Sequence, residues 1–417
     1  MSLRQLAFLI VAITLALEVH FAVPQSGQKT GPQANARADV EKSPSADMRP
    51  GYAGDAACLP CHRSESLSYA HTAHRLTSQL ASGPTILGNF SPGANILTIS
   101  DPKKNPAQPA LFFKMEARNR AYYQTAATGW GDLLLTRTEP IDVVTGSGRR
   151  GQTYLYWQRD RLFELPVSYW TDGHRWVNSP GFIDGTVDFS RPVNPGCLEC
   201  HATFIRPLST DPLTNSYDRK SLVPGISCET CHGPAAEHVA AYADRSPVAP
   251  PAQPSILNPG KFSRDRQIDA CAYCHSGIQR AAISPAFSFV PGHAMSEYFK
   301  PLETEAAAHP DVHGNQVGLL KRSRCYQSSP NMSCSTCHDT HAGEKPAAAY
   351  SSVCLQCHQW TSCGASKRLG HAIVNNCIDC HMPAEPTNVI VSETAGQVVR
   401  AKMRNHWIKV QPGTQAH

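Results

Sequence analysis

Beyond its first two dozen residues the sequence has no apolar run long enough to cross a bilayer. It also has no basic, aromatic-interleaved tract, which excludes nucleic acid as a partner. The one apolar run, Leu6 to Leu17, follows Arg4 and is too short to span comfortably, so residues 1–22 are expected to be a secretory signal peptide. Membrane association then follows only if that signal stays uncleaved. Residues 23–50, rich in Pro, Gln, Ser, Gly and charge, are expected to form a flexible tether.

Cysteine is where the chain departs from the ordinary. Of 16 cysteines, only Cys325 and Cys363 escape one pattern, Cys-x-x-Cys-His. It occurs as Cys58/Cys61/His62, Cys197/Cys200/His201, Cys228/Cys231/His232, Cys271/Cys274/His275, Cys334/Cys337/His338, Cys354/Cys357/His358 and Cys377/Cys380/His381. Two thiols three residues apart lie on one face of a helical turn, where each can add to a vinyl group of one porphyrin. The following His is carried under the ring and can bind the iron. The motifs therefore predict seven covalently bound haem c groups, with iron held by the seven motif histidines.

Zinc also takes Cys and His, but its tetrahedral sites need two half-sites, and seven cannot be paired evenly. A thioredoxin-like redox role fails as well, because no strand-then-helix context recurs around the motifs. Attached haem brings propionates, so the formal charge of +5 is no guide to the partner.

Each iron has a second axial position. The candidate distal ligands are His71, His74, His238, His313, His341, His371 and His406, with His293 or His309 as substitutes. His238 and His341 follow their own motifs so closely that each is better placed to reach a neighbouring haem. His174 reads as an ordinary turn histidine, and Met295, Met332 and Met382 read as packing residues. The two leftover cysteines, in an oxidising compartment, are expected to pair as a Cys325–Cys363 disulfide.

Residues 51–82 carry the first haem segment and residues 191–383 a six-haem domain. So little chain per porphyrin forces the rings to pack on one another. Residues 83–190 alternate apolar and polar, as in Ala110–Ala117 and Gln152–Trp157, with turns at Arg118-Asn-Arg120 and Gly146-Ser-Gly148; they predict a β-rich insertion. Residues 384–417 form a C-terminal segment that supplies a possible distal His. The expected fold class is mainly α with extensive coil: a multihaem cytochrome c fold with a haem-packed core and an inserted small antiparallel β subdomain.

The ordered set resembles the multihaem cytochromes c related to the tetrahaem cytochrome of ammonia oxidisers, with more distant kin among pentahaem nitrite reductases and octahaem hydroxylamine oxidoreductases. The matching pieces are Gly54-Asp-Ala-Ala-Cys-Leu-Pro-Cys-His62 with His71 and His74, Ser227–Pro234 followed by Glu237-His238-Val239, Ser335–Asp339 followed by His341, and Cys377–Pro383 followed by Asn405-His406. The likeness is greatest to a seven-haem subset that often precedes tetratricopeptide repeats, and no such repeats follow His406. The resemblance implies distal-ligand roles for the non-motif histidines in these pieces. Every motif ends in His, whereas the pentahaem nitrite reductases usually bind their catalytic haem through Cys-x-x-Cys-Lys.

The functional expectation is an exported, bacterial, periplasmic or otherwise exported cytochrome that passes electrons between a redox protein donor and acceptor through mostly bis-His haems. The alternative is a multihaem oxidoreductase acting on a small nitrogen or sulfur compound at one open-coordination haem. A third reading is a partner-docking subunit of a larger electron-transfer complex.

Overall fold

The computed structural model describes residues 49–243, 256–277, 281–301 and 310–411. The signal peptide at 1–22, nearly all of the tether at 23–50 and the substitute ligand His309 lie outside the described residues. Among the described residues no helix is long and apolar enough to cross a membrane.

Two antiparallel sheets occupy the interval between the first and second motifs. One orders its strands β2-β3-β4-β5: β2 (Ile96–Ser100), β3 (Ala110–Arg118), β4 (Ala121–Trp130) and β5 (Leu133–Pro140). The other orders β1-β6-β7-β9-β10: β1 (Ser78–Leu80), β6 (Val143–Thr145), β7 (Gly151–Gln158), β9 (Val167–Trp170) and β10 (Arg175–Asn178), with β8 (Arg161–Glu164) paired on β7. The alternation read from the sequence has its physical counterpart in β3, where Leu111, Phe113 and Met115 are buried and Phe112, Lys114 and Glu116 are only partly so. Asn119 and Arg120, with φ of 51° and 64°, close the β3–β4 hairpin in the left-handed conformation that a two-residue turn requires. Phe113, Met115, Tyr154, Tyr156, Leu165 and Val167 share one core, so the two sheets pack through common apolar side chains. Buried Gln124 stitches them: its Nε2 donates to the Val167 carbonyl at 2.7 Å and its Oε1 accepts from the Val167 amide at 3.1 Å.

Two further hairpins follow, β11 (Ala202–Pro207) with β12 (Tyr217–Pro224), and β13 (Ala384–Thr394) with β14 (Gln397–Arg404). The chain is therefore not mainly α: strand makes up 28% and helix 26%. The reason lies at the motifs. Their helices are short, and several stop at or just after the motif histidine: Pro195–His201 passes straight into an extended Ala202, and Cys228–His232 ends on Gly233 with φ of 70°. Even Arg264–His275, capped by the Ser263 hydroxyl, runs only 12 residues.

Candidate functional site

The motif helices are tied to one another through residues inside or beside the motifs. Glu229, within the third motif, is buried and accepts from the amides of Ala53 and Gly54, both at 2.8 Å, and of Ala235 at 3.0 Å. Asp55, beside the first motif, accepts in return from the Cys228 amide at 2.9 Å. The Cys58 and Cys228 thiols lie beside one another, as do those of Cys271 and Cys334. The Ser351 hydroxyl, just before the sixth motif, accepts from the Cys377 amide that opens the seventh, at 2.9 Å. Sequence reading missed these links because charged or polar residues at the variable motif positions carry no pattern of their own.

Residues of all seven motifs, including all seven motif histidines, line one connected cavity of about 3930 Å³. A pocket for one drug-sized ligand holds roughly 300–1,000 Å³, so this space suits several large groups. His74, His238, His313, His341 and His406 line it too.

Cys61 alone among the motif cysteines lies away from this cavity. It is exposed and lines neither this cavity nor the smaller one beside His358, whereas Cys58 and His62 of the same motif do line the large cavity. The cause is local: the helix Asp55–Cys58 is only 4 residues long, and the turn that follows, closed by the Cys61 and His62 amides donating to the Cys58 carbonyl at 3.2 and 2.9 Å, leaves Cys61 on the protein surface.

Four of the five non-motif histidines at the cavity each face a motif histidine. Ring centroids lie 6.3 Å apart for His62–His238, 6.0 Å for His74–His275, 5.9 Å for His232–His341 and 6.1 Å for His338–His406. Two imidazoles bound trans to one metal at about 2 Å per bond have centroids about 6.3 Å apart. The pairs thus leave space for a metal between the rings and none for a longer bridge. Three pairs are near-parallel, with interplanar angles of 26°, 15° and 29°, and the His74–His275 pair is edge-on at 75°.

Hydrogen bonds fix the tautomer of three imidazoles. Nδ1 lies 2.9 Å from the Leu257 carbonyl in His232, 3.1 Å from the Lys409 carbonyl in His381 and 3.2 Å from the Arg404 carbonyl in His406. A carbonyl only accepts, so Nδ1 carries the proton and Nε2 keeps its lone pair for a metal. Burial pushes the imidazoles of His74 and His406 down to about 4, and lowers His201, His232, His275, His313 and His338 as well. His74 is open only toward the cavity, and protein encloses it on its other sides. Neutral imidazoles are the form that binds iron.

The remaining candidates separate by place. His313 sits in the cavity within the fields of His201 and His275, and among the described residues its buried Nδ1 has no hydrogen-bond partner. His371 is outside the large cavity but shares a smaller one, about 580 Å³, with His358 and Trp360. His71 is exposed and lines neither. His293 is exposed and pairs with Glu297 at 3.1 Å, and His174 occupies the β9–β10 turn with φ of 45°. Met295 and Met332 pack against a small core around Ile268 and Val317. The expected Cys325–Cys363 disulfide does not form: both thiols are free, Cys325 on the helix Arg324–Ser328 and Cys363 just after the turn Trp360–Ser362, and neither is joined to a partner sulfur. Among the described residues no three His, Cys, Asp or Glu side chains converge.

The chain is similar to several known proteins. The family model described as cytochrome c554 and c-prime matches residues 174–233. The C-type polyheme cytochrome OmcC of Geobacter sulfurreducens is 29% identical over 168 residues, 35% of this chain and 20% of its own length. The multiheme cytochrome MtrA of Shewanella baltica is 26% identical over 220 residues, 49% of this chain and 52% of its own. Over these stretches the chain is similar to multihaem c-type cytochromes. It spans about half or less of the length of these curated relatives. Its fold is similar to that of the outer cell wall cytochrome OcwA, with a TM-score of 0.54 and 16% identity over 86% of this chain and 80% of the other.

Proposed function

We propose that this cytochrome is an exported electron carrier holding seven haems, one per Cys-x-x-Cys-His motif, most of them ligated by two histidines. The observation that carries the reading is the set of four motif histidines facing non-motif histidines at 5.9–6.3 Å. In it, His238 serves the His62 site, His74 the His275 site, His341 the His232 site and His406 the His338 site. His313 is assigned to His201 and His371 to His358 by shared cavity and field. Bound haem c supplies one-electron oxidation and reduction at iron, and no acid or base in the chain is asked to act.

The chain's own part is to hold thirteen of its fourteen motif cysteines and all seven motif histidines at one continuous cavity, to keep the imidazoles neutral by burial, and to fix their tautomers through backbone carbonyls. Cys61 remains the second attachment point of the first motif in this reading, reached from the solvent side. Donor and acceptor are redox proteins. The finer kinship, to the tetrahaem cytochrome of ammonia oxidisers, rests on the ordered motifs and histidines of the sequence. Electron paramagnetic resonance of the ferric protein tests the assignment site by site. The expected spectrum is low-spin at the six paired sites; a high-spin signal from any of them would remove that pairing and favour an oxidoreductase with an open coordination position.

A further inference from the structure

The second and fourth motifs meet through a buried polar contact that their haem-binding residues do not require. Glu199 lies between Cys197 and Cys200, and Tyr273 between Cys271 and Cys274; the two are 5% and 6% exposed. The Tyr273 hydroxyl donates to Glu199 Oε1 at 2.9 Å, and the Phe287 amide donates to the same oxygen at 2.9 Å. The backbones reciprocate: Cys274 Sγ is 3.8 Å from the Glu199 carbonyl, and Cys200 Sγ is 4.0 Å from that of Tyr273.

An apolar pair would be the less costly filling for such a joint, because a buried carboxyl between neutral donors loses its hydration without gaining a cation. Phe287 adds a second cost, since this buried, non-glycine residue is held at φ of 61° with its amide aimed at Glu199. The Tyr273 ring is fixed by stacking on Phe289, centroids 4.6 Å apart. Conformational cost and polar burial thus converge on one oxygen atom at the contact between two cofactor attachments.

We infer that Glu199 and Tyr273 are a positioning pair that clamps the second motif to the fourth and sets the potentials of both haems together. The inference rests on the reading that these motifs hold haem. A carboxyl two residues from His201, hydrogen-bonded to a tyrosine two residues from His275, adjoins both sites, and negative charge or an aligned acceptor there favours the oxidised iron of each.

The test uses the full seven-haem protein with Tyr273→Phe, which keeps the ring, and Glu199→Gln, which keeps the shape. Midpoint potentials are followed haem by haem through assigned haem-methyl resonances. Each variant is expected to shift the same two of the seven potentials, those of the Cys197–His201 and Cys271–His275 sites, upward in Glu199→Gln. The double variant should shift them no further than the larger single change. Loss of haem from these two motifs alone would express the same role more strongly. All seven potentials unchanged with only a lower Tm, or a shift at one site alone, overturns the inference. Haem counting on the parent protein keeps the two claims apart: fewer than seven haems strikes the underlying reading, whereas seven haems with unmoved potentials in the variants strikes only the clamp.

Discussion

Replacing His341 with Ala isolates one distal ligand at little structural cost. His341 follows its own motif by three residues yet its ring faces His232, of another motif, at 5.9 Å and 15°. Its side chain is 47% exposed, and its protein contacts are Asp339 at 4.0 Å and the edge of Tyr69 at 6.3 Å. Losing an exposed pair of that kind costs about 0–1 kcal/mol, so the variant should fold and keep its haems. What it loses is the sixth ligand of one iron. Dithionite-reduced parent protein should show no carbon monoxide shift at the His232 site, while the variant should gain one equivalent of binding, seen as a sharpened Soret band that saturates stoichiometrically. His71→Ala, at an exposed residue lining neither cavity, should behave as the parent. A His341→Ala protein with the parent's response to carbon monoxide would refute the ligand assignment and the ring-distance reasoning behind it.

Three further outcomes follow from the same contacts. Burial lifts the Glu164 carboxyl from its ordinary 4.5 to about 7, against the pull of Arg191 at 3.3 Å. A raised carboxyl stabilises the fold below about 4.5 and loses that contribution as pH rises to about 7, so Glu164→Gln should flatten this limb of the stability curve, by about 3 kcal/mol at most; denaturation at pH 4.5 and 7.5 measures it, and an unchanged slope contradicts it. Glu229→Ala orphans the amides of Ala53, Gly54 and Ala235 and should destabilise the protein by about 3–5 kcal/mol, read as a lower denaturation midpoint. Alkylation of unreduced, denatured holoprotein should label two thiols, Cys325 and Cys363, and the absence of label would restore the disulfide.

The motifs were legible because the chemistry they encode is local. Five residues specify attachment and one ligand, so all seven motifs could be read without any tertiary information. Spacing did not reveal that Cys61 lies off the cavity that Cys58 lines, because that depends on where a four-residue helix stops. The non-motif histidines were legible only as a pool: that His341 turns to His232 and His74 to His275 depends on how separate helices dock, and that docking runs through Glu229, Asp55, Glu199 and Tyr273, which no spacing rule marks. Strands β3, β4, β7 and β8 fall on the runs whose alternation marked them, whereas β1, β2, β5, β6 and β10 carried no such mark. The overestimate of helix came from extending motif helices past their histidines and from overlooking β13 and β14, where Ala395 and Gly396, with φ of 49° and 76°, make a tight hairpin turn after Asn388-Val-Ile-Val-Ser392. The missing disulfide shows the limit of compartment reasoning, since two leftover thiols pair only if the fold brings them together.

The central claim is that each of the seven motifs holds one covalent haem. Intact mass of the mature protein, combined with a pyridine haemochrome titration against protein concentration, measures this most directly. The account predicts a mass increment of seven haems and a titration ratio of seven per chain. A fully matured protein carrying fewer than seven would show that some of these motifs bind something else, and would contradict it.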